Sequence, residues 1–268
     1  MTEPEINSSA NPRIKSLVRL RTRRERDRTG RFLVEGYREL SRALEAGVKL
    51  EELYVARDLF LGDNEPELID RASGAGAEIV EVAAEPFRKA SYRERPEGLL
   101  GVARQFPASL AALDLTGTPL LLVAEGIEKP GNLGTMLRTA DAAGANGVIV
   151  ADPTTDPFNP NVVRASLGTL FTVPLAVADT EAVIATLRSA RVSILAATPR
   201  GARPHHGVDL TGSVALVVGS EQYGLSARWL EAADERVVIR MPGPVDSLNA
   251  AMAAGILLFE AVRQREIG

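Results

Sequence analysis

The sequence predicts an α/β protein made of two domains, and three observations support this fold class. First, short apolar runs alternate with segments of helical periodicity along nearly the whole chain. Second, the runs in the C-terminal half are continuously apolar, as expected of strands buried on both faces of a parallel sheet. Third, the stretch PASLAALDLTGTP interrupts the alternation and is typical of a linker. We therefore expect parallel or mixed sheets covered by helices.

The first domain is expected to cover residues 1–106. Helices are predicted at IKSLVRLRTRRERDRTG, where Gly30 ends one long helix, and at YRELSRALEAG, EPELIDRASGAG and EPFRKASY. Strands are predicted at RFLVEG, LEELYVA, AEIVEVA and GLLGVARQF. A linker over residues 107–117 then leads into the second domain, residues 118–268.

The second domain repeats the alternation with more apolar strands. They are predicted at PLLLVAEG, GVIVAD, VPLAVA, SILAAT, VALVVGS and RVVIRMP. Helices between and after them are predicted at NLGTMLRTADAAG, EAVIATLRSA, SARWLEAA and SLNAAMAAGILLFEAVRQR. The segment DPFNPNVVRASLGTLF is predicted to be a loop that enters a further helix.

Composition and the length of the apolar runs argue against several classes of protein. The 268 residues include no Cys, which excludes disulfides and thiolate metal sites and suits a reducing cytoplasm. The stretch MTEPEINSSANPRIK lacks the apolar core of a secretory signal, and no run is long enough to span a membrane. His205 and His206 have no partner at a metal-ligand spacing, so no metal is expected.

The charge of the chain is unevenly distributed. The net charge is −4, yet residues 11–31 contain nine Lys or Arg against Glu25 and Asp27. A local basic stripe on an acidic protein indicates contact with a polyanion such as RNA or DNA. The alternative is a solvated helix face whose arginines form salt bridges.

Three loops that follow strands of the second domain contain unusual polar residues. They are EGIEKPGNLGTMLRTA after LLLVA, GSEQYG after VALVV, and MPGPVDSLN after VVIR. Ligands of open parallel sheets bind at the carboxyl ends of strands, so these loops are expected to form one site. Each loop alone is also compatible with ordinary turn chemistry. The first loop lacks the G-x-G-x-x-G pattern, which argues against a dinucleotide-binding dehydrogenase.

The third loop enters an alanine-rich helix. Asp246 or Ser247 is expected to cap that helix, and Arg263 and Arg265 in its last turns suit the helix dipole. The alanines allow another backbone to approach closely. A capped core helix does not explain Asn249, which is expected inside the first turn.

Together and in this order, the three loops resemble the SpoU (TrmH-type) class of SPOUT RNA 2′-O-ribose methyltransferases. The segment PGNLGTMLRTADAAG resembles the first family motif, N-x-G-x-x-x-R, and VVGSEQYGLS resembles the second, G-x-E-x-x-G. The segment VIRMPGPVDSLNAAMAAGILLFE resembles the third motif, and DPFNPNVVRASLGTLFTVPL is similar to the region between the first two. The resemblance is greatest to members that methylate 23S ribosomal RNA, including antibiotic-resistance enzymes.

The resemblance implies a fold, a cofactor and partners. It implies a small N-terminal L30e-like α/β domain that binds RNA and a C-terminal SPOUT α/β domain with a parallel sheet and a deep trefoil knot. It further implies that S-adenosylmethionine binds in the knot and that the protein works as a cytoplasmic homodimer on 23S ribosomal RNA. Alternative functions are methylation of transfer RNA by the same chemistry and, with a relic knot, RNA binding without catalysis.

The resemblance also implies roles for individual residues. The catalytic residues would be Arg138, Asn132, Glu221, Ser247 and Asn249. The cofactor contacts would be Thr198, Gly219, Ser220, Glu221, Ile239, Met241, Ser247 and Leu248. Separately from the resemblance, RNA contacts are expected at Arg13, Lys15, Arg19, Arg21, Arg23 and Arg24 of the basic stripe, and at Arg164. The chain departs from the family pattern at Lys129, where Asp is common, and at Ala250, where Val is common.

Methyl transfer to a ribose hydroxyl requires an in-line approach and the removal of one proton. The protein's main task is therefore to position the reactants. Arg138 is expected to stabilise the developing alkoxide rather than to act as the base, because guanidinium stays protonated. Glu221 is expected either to orient Arg138 or to order Asn132 through its backbone.

Overall fold

A computed structural model describes residues 6–267. Residue contacts divide the chain into two compact units. The first unit holds the described residues up to Phe106 together with Asp156–Thr172, and the second holds Pro107–Thr155 and the chain from Val173 onward. The segment 156–172 thus joins the first unit although it lies far along the sequence.

The helices and strands follow the predicted alternation. Up to Phe106 they are α1 (Pro12–Arg19), α2 (Arg23–Thr29), β1 (Arg31–Glu35), α3 (Tyr37–Glu45), β2 (Leu50–Val55), α4 (Glu65–Gly74), β3 (Glu78–Glu81), α5 (Ala84–Ala90) and β4 (Leu99–Arg104). Beyond it they are β5 (Leu120–Glu125), α6 (Pro130–Ala142), β6 (Gly147–Ala151), α7 (Pro160–Ser166), β7 (Leu175–Ala178), α8 (Thr180–Ser189), β8 (Ser193–Ala197), β9 (Arg203–Pro204), β10 (Val214–Val218), α9 (Ala227–Ala232), β11 (Glu235–Val238) and α10 (Ala250–Ile267).

The first unit contains a mixed four-stranded sheet in the order β1-β4-β2-β3. Strand β4 pairs antiparallel with β1 and β2, whereas β2 and β3 are parallel. Apolar side chains of α1 and α5, including Ile14, Leu17 and Phe87, are buried against one face of this sheet. Helix α7 packs on β1.

The single helix predicted up to Gly30 is wrong, because the chain forms two helices there. Thr22 adopts an extended conformation between α1 and α2. The guanidinium of Arg26 stabilises this break, since its Nη1 donates to the carbonyls of Leu20, at 2.9 Å, and Arg21, at 2.8 Å. Gly30 does end α2, in the left-handed conformation that favours glycine.

A buried ion pair joins α2 to the segment 156–172. Arg26 is 1% exposed, and its Nε donates to Oδ2 of Asp156 at 2.7 Å. The other Asp156 oxygen accepts the Phe158 N–H at 2.8 Å. Phe158 also packs on Phe32, with ring centres 4.9 Å apart. Charge pairing and aromatic packing therefore both fix this segment in the first unit.

The second unit contains a seven-stranded sheet in the order β7-β6-β5-β10-β8-β11-β9. Every strand pairing in it is parallel. Strands β5, β6 and β10 are buried along their whole length, as their continuous apolar sequences predict. The α/β fold class with a parallel sheet is confirmed. The two-residue edge strand β9 has no counterpart among the predicted strands.

The segment predicted as a linker, residues 107–117, packs on the second unit. Leu113 is buried in the core of that unit, and the Ala108 carbonyl accepts the Val177 N–H at 3.0 Å. The predicted domain limits stay a prediction. Within residues 6–267, no helix is both long and apolar enough to cross a membrane.

We predict that Arg26→Met lowers the free energy of unfolding by about 3–5 kcal/mol, because removing one partner leaves a buried charge uncompensated. Urea denaturation followed by circular dichroism measures this loss. Arg23→Met is the matched control, since the Arg23–Asp27 pair is exposed and contributes less than about 1 kcal/mol. If Arg26→Met and Arg23→Met lowered the free energy of unfolding equally, the buried ion pair would contribute no more to stability than the exposed one.

Candidate active site

The loop after β10 is a closed turn that presents Glu221. A Cβ at Gly219 would lie 2.2 Å from the Gly224 carbonyl oxygen, so only glycine fits there. The Gly224 N–H donates to the Ser220 carbonyl at 3.0 Å and closes the turn. Glu125, at the end of β5, accepts the Ser226 N–H at 2.9 Å. The turn is thereby anchored to the neighbouring strand.

Asn249 caps helix α10. Its Oδ1 accepts the N–H groups of Ala251, at 2.9 Å, and Met252, at 3.3 Å. The expectation that Asp246 or Ser247 caps the helix is wrong, because the helix begins at Ala250 and only Asn249 stands directly before it. The cap also explains why a polar residue precedes the alanines.

Three loops meet at the carboxylate of Glu221. Its Oε1 accepts hydrogen bonds from the side-chain amides of Asn132, at 2.8 Å, and Asn249, at 2.5 Å. Its Oε2 accepts from Nζ of Lys129. Glu221 therefore contacts the side chain of Asn132. Glu221 thus orders Asn132 through its side chain rather than its backbone, and its expected role in orienting Arg138 stays a prediction.

The Glu221 carboxylate is electrostatically stabilised. Hydrogen bonds from Lys129 and, to a smaller extent, Asn132 hold the pKa of Glu221 below its ordinary value. The Lys129 side chain is 68% exposed, so solvent screens the pair and its contribution to stability is small. The network orders the loops more than it stabilises the fold.

A cleft of about 430 Å³ lies beside this network and has the size of a small-molecule site. All eight residues predicted to contact the cofactor line it: Thr198, Gly219, Ser220, Glu221, Ile239, Met241, Ser247 and Leu248. Arg200, Tyr223 and Leu230 line it as well but were not singled out in the sequence. Tyr223 follows Glu221 inside the second motif, and that proximity is the one signal that could have identified it.

A second cavity of about 230 Å³ adjoins the cleft. Lys129, Asn132 and Ile127 are among its lining residues. Glu221 and Ala250 line both cavities. The site can therefore hold two reactants side by side, with Glu221 between them.

Arg138 stands apart from the Glu221 network. It is exposed on α6 and, within residues 6–267, forms no hydrogen bond or ion pair. It lies six positions after Asn132, which places the two about 120° apart around the helix. Helix geometry thus explains why they face different surroundings.

The residues predicted to contact RNA lie in the first unit, and they differ in whether they form an ion pair with a carboxylate. Arg13, Arg19 and Arg23 form ion pairs with Glu78, Glu25 and Asp27. Lys15 and Arg24 are exposed and have no carboxylate partner in the described part of the chain. Arg21 and Arg164 both approach the ring of Tyr92, a residue that the sequence pattern did not identify. Among residues 6–267, no cluster of three His, Asp or Glu side chains could hold a metal ion.

We predict that Asn249→Ala lowers the free energy of unfolding by about 1 kcal/mol through loss of the helix cap. Asn249→Ser keeps a capping oxygen, so it should cost only a few tenths of a kcal/mol. Urea denaturation of both variants measures the difference. If Ser destabilises as much as Ala, capping is not what Asn249 contributes.

We predict that Lys129→Ala raises the pKa of Glu221 toward its ordinary value, because the first cause of its depression is removed. A lowered pKa means that the network is complete above the ordinary value and is lost as the pH falls through the lowered one. Titration of the Glu221 carboxyl carbon by NMR measures the shift. Lys129→Arg keeps the charge and should leave the pKa low. An unchanged pKa in Lys129→Ala would contradict the assigned cause.

Comparisons with known proteins agree with the geometry. The family model of the SpoU rRNA methylase family matches residues 119–259, and that of the MRM3-like substrate binding domain matches residues 11–101. The chain is 29% identical to the 23S rRNA (guanosine(2553)-2'-O)-methyltransferase RlmP of Bacillus subtilis, over 95% of this chain and 98% of that protein.

Two solved structures are closely similar. A crystal structure described as an RNA 2'-O ribose methyltransferase has a TM-score of 0.86 and 41% identity, and the alignment covers 97% of this chain and 99% of that one. The SpoU methyltransferase AviRb from Streptomyces viridochromogenes, in complex with S-adenosylmethionine (AdoMet), has a TM-score of 0.89 and 30% identity, covering 96% and 99%. The chain therefore belongs to the SpoU rRNA methylase family, whose members are S-adenosylmethionine-dependent RNA 2′-O-ribose methyltransferases.

Proposed function

We propose that this protein transfers a methyl group from S-adenosylmethionine to the 2′-hydroxyl of one nucleotide in 23S ribosomal RNA. The observation that carries the proposal is the convergence of three loops on Glu221, between two adjoining cavities. The relative from Bacillus subtilis, which is similar along nearly its whole length, is named for methylation of 23S rRNA. No observation favours transfer RNA or a non-catalytic role.

The residues of the larger cleft fit S-adenosylmethionine. Ile239, Met241 and Leu248 offer apolar surface for an adenine ring, while Thr198 and Ser220 offer hydroxyl groups. When bound, the cofactor supplies the methyl group on a sulfonium. The tight turn at Gly219 and the bond from Ser226 to Glu125 fix one wall of the cleft before binding, which limits the cost of ordering that wall.

The smaller cavity is proposed to receive the target nucleotide. Asn132 and Lys129 line it, and their amide and ammonium groups can donate hydrogen bonds to ribose or phosphate oxygens. Ser247 lines only the larger cleft and would position the cofactor. Holding both reactants in line can supply roughly 7–11 kcal/mol of the barrier.

Arg138 is proposed to complete the site of a second copy of the chain. Its guanidinium is exposed and unpaired within residues 6–267, and it cannot act as the base because it is already protonated and offers only hydrogen-bond donors. It would bind the target phosphate and stabilise the alkoxide, while the proton leaves to a phosphate oxygen or water. Helix α10, which packs on α6, exposes Met252 and Phe259 at 60% and 50%. An exposed apolar strip of this kind supports a homodimer.

Further properties of the proposed enzyme rest on the family resemblance. A trefoil knot is supported by the path of the chain after β11, which returns so that α10 packs on β10 and β5. A cytoplasmic location is supported by the ribosomal RNA substrates of its relatives. A role in resistance to a ribosome-targeting antibiotic stays a prediction that drug-sensitivity measurements would test.

We predict that Arg138→Ala lowers turnover by at least ~10²-fold while cofactor affinity is nearly unchanged, the effect expected on removing one preorganised donor. Transfer of tritiated methyl groups to 23S ribosomal RNA measures turnover, and calorimetry measures cofactor binding. Arg191→Ala is the control, because Arg191 is exposed and lies two residues before β8, at the amino end of that strand.

Mixing two inactive proteins tests whether Arg138 acts across a dimer. If it does, a mixture of Arg138→Ala and Glu221→Gln chains regains activity, since mixed dimers contain one complete site. Absence of any recovery, although mixed dimers form, would place Arg138 in its own chain's site. Full activity of Arg138→Ala would remove it from the mechanism.

A further inference from the structure

The ring of Tyr92 brings together two arginines that are far apart in the sequence. The Cζ atom of Arg21 lies 5.9 Å from the ring centre, and that of Arg164 lies 6.0 Å from it. Both distances are within the range of cation–π interactions. The two guanidinium groups are therefore no more than about 12 Å apart. All three residues belong to the first unit.

Backbone carbonyls, not a carboxylate, hold Arg21 in place. Its Nη2 donates to the carbonyls of Lys89, Ala90 and Ser91 at the end of α5. These bonds leave Nη1 without a partner in the described part of the chain and leave the positive charge uncompensated by an acid. Arg13, Arg19 and Arg23 differ in this respect, because each has a carboxylate partner.

Within residues 6–267, Arg164 also has no carboxylate partner. It lies in the last turn of α7, and its Nη2 donates to Oδ1 of Asn161 at 3.1 Å. Its side chain is exposed. Packing on β1 and the Arg26–Asp156 pair hold the segment that carries it. The guanidinium group of Arg164 is therefore carried by a helix, α7, whose position is fixed by these contacts.

A buried network fixes the backbone of Tyr92. Glu35, 8% exposed, accepts the Tyr92 N–H at 2.7 Å and the Ser91 hydroxyl at 2.5 Å. Arg93 forms ion pairs with Glu39 and Glu97, so carboxylates of the same unit compensate its positive charge. None of these contacts requires the Tyr92 ring. The fixed backbone places the ring between two cations that have no carboxylate partner within residues 6–267, and such a pair of free cations suits contact with a polyanion.

We propose that Arg21, Tyr92 and Arg164 form a phosphate clamp for the RNA substrate, with Tyr92 as a positioning residue whose ring contacts both guanidinium groups and acts on Arg21 together with the carbonyls that hold it. The clamp rests on the proposed function, because its ligand is the backbone of the RNA to be methylated. Arginine is suited to this role because its planar guanidinium group can bind a phosphate through two parallel hydrogen bonds.

The test changes the geometry of the clamp without changing any charge. Binding of a 23S ribosomal RNA transcript is measured by filter binding between about 50 and 200 mM salt, where each phosphate contact contributes roughly 0.7–0.9 to the slope of log K against log salt. Tyr92→Leu should weaken binding about tenfold and reduce that slope by about 0.7–1.8, for one or two lost contacts. Tyr92→Phe keeps the ring and should match the wild type.

Coupling between residues provides a second readout. Arg164→Gln should weaken binding in the wild type but have little further effect in the Tyr92→Leu background, because the contact is already lost. Leu61→Ala, at an exposed apolar residue of the same unit, is the control and should leave the slope unchanged. Thermal unfolding verifies that each variant folds.

Three outcomes would overturn the clamp. They are an unchanged slope in Tyr92→Leu, equal losses in Tyr92→Phe and Tyr92→Leu, and an equal effect of Arg164→Gln in both backgrounds. In each of these the proposed methylation stands if tritiated methyl groups are still transferred to 23S ribosomal RNA. Failure of the wild type to bind or methylate that RNA would instead overturn the proposed function together with the clamp.

Discussion

The buried ion pair between Arg26 and Asp156 is the interaction on which the arrangement of the first unit depends. Removing two charges from water is costly, and the cost is offset only when the remaining donors and acceptors are also satisfied. Here the carbonyls of Leu20 and Arg21 and the Phe158 N–H complete the pair. The same contacts that satisfy the charges therefore shape the turn between α1 and α2 and hold α7, which carries Arg164.

The second unit relies on a different principle, a rigid sheet that carries polar loops. Strands β5 and β10 are buried along their lengths and fix where the loops begin. Glu221 then links Lys129, Asn132 and Asn249 through hydrogen bonds that are exposed or part-buried, and its exposed ion pair with Lys129 adds little stability. Polar residues from three parts of the sequence are thus ordered without a buried charge, which leaves them accessible to substrates.

The sequence predicts the parts of the fold that depend on local pattern. Apolar runs locate the strands of both sheets apart from the edge strand β9, and the eight cofactor residues expected from the family resemblance all line one cleft. It does not predict features that depend on distant partners. A basic run cannot show that Arg26 is buried against Asp156, nor that Tyr92 lies between Arg21 and Arg164. The cap by Asn249 was missed because Asp and Ser at neighbouring positions are equally good capping residues.

The return of segment 156–172 to the first unit gives the polypeptide three crossings between the units, after Phe106, after Thr155 and after Thr172. A single cut in the chain therefore cannot separate the two units as intact bodies. A fragment ending at residue 106 would retain Arg26 without Asp156 and Phe32 without Phe158. Exchange of residues 1–106 alone between related enzymes would therefore lose these contacts, and keeping them would require the transfer of residues 156–172 as well.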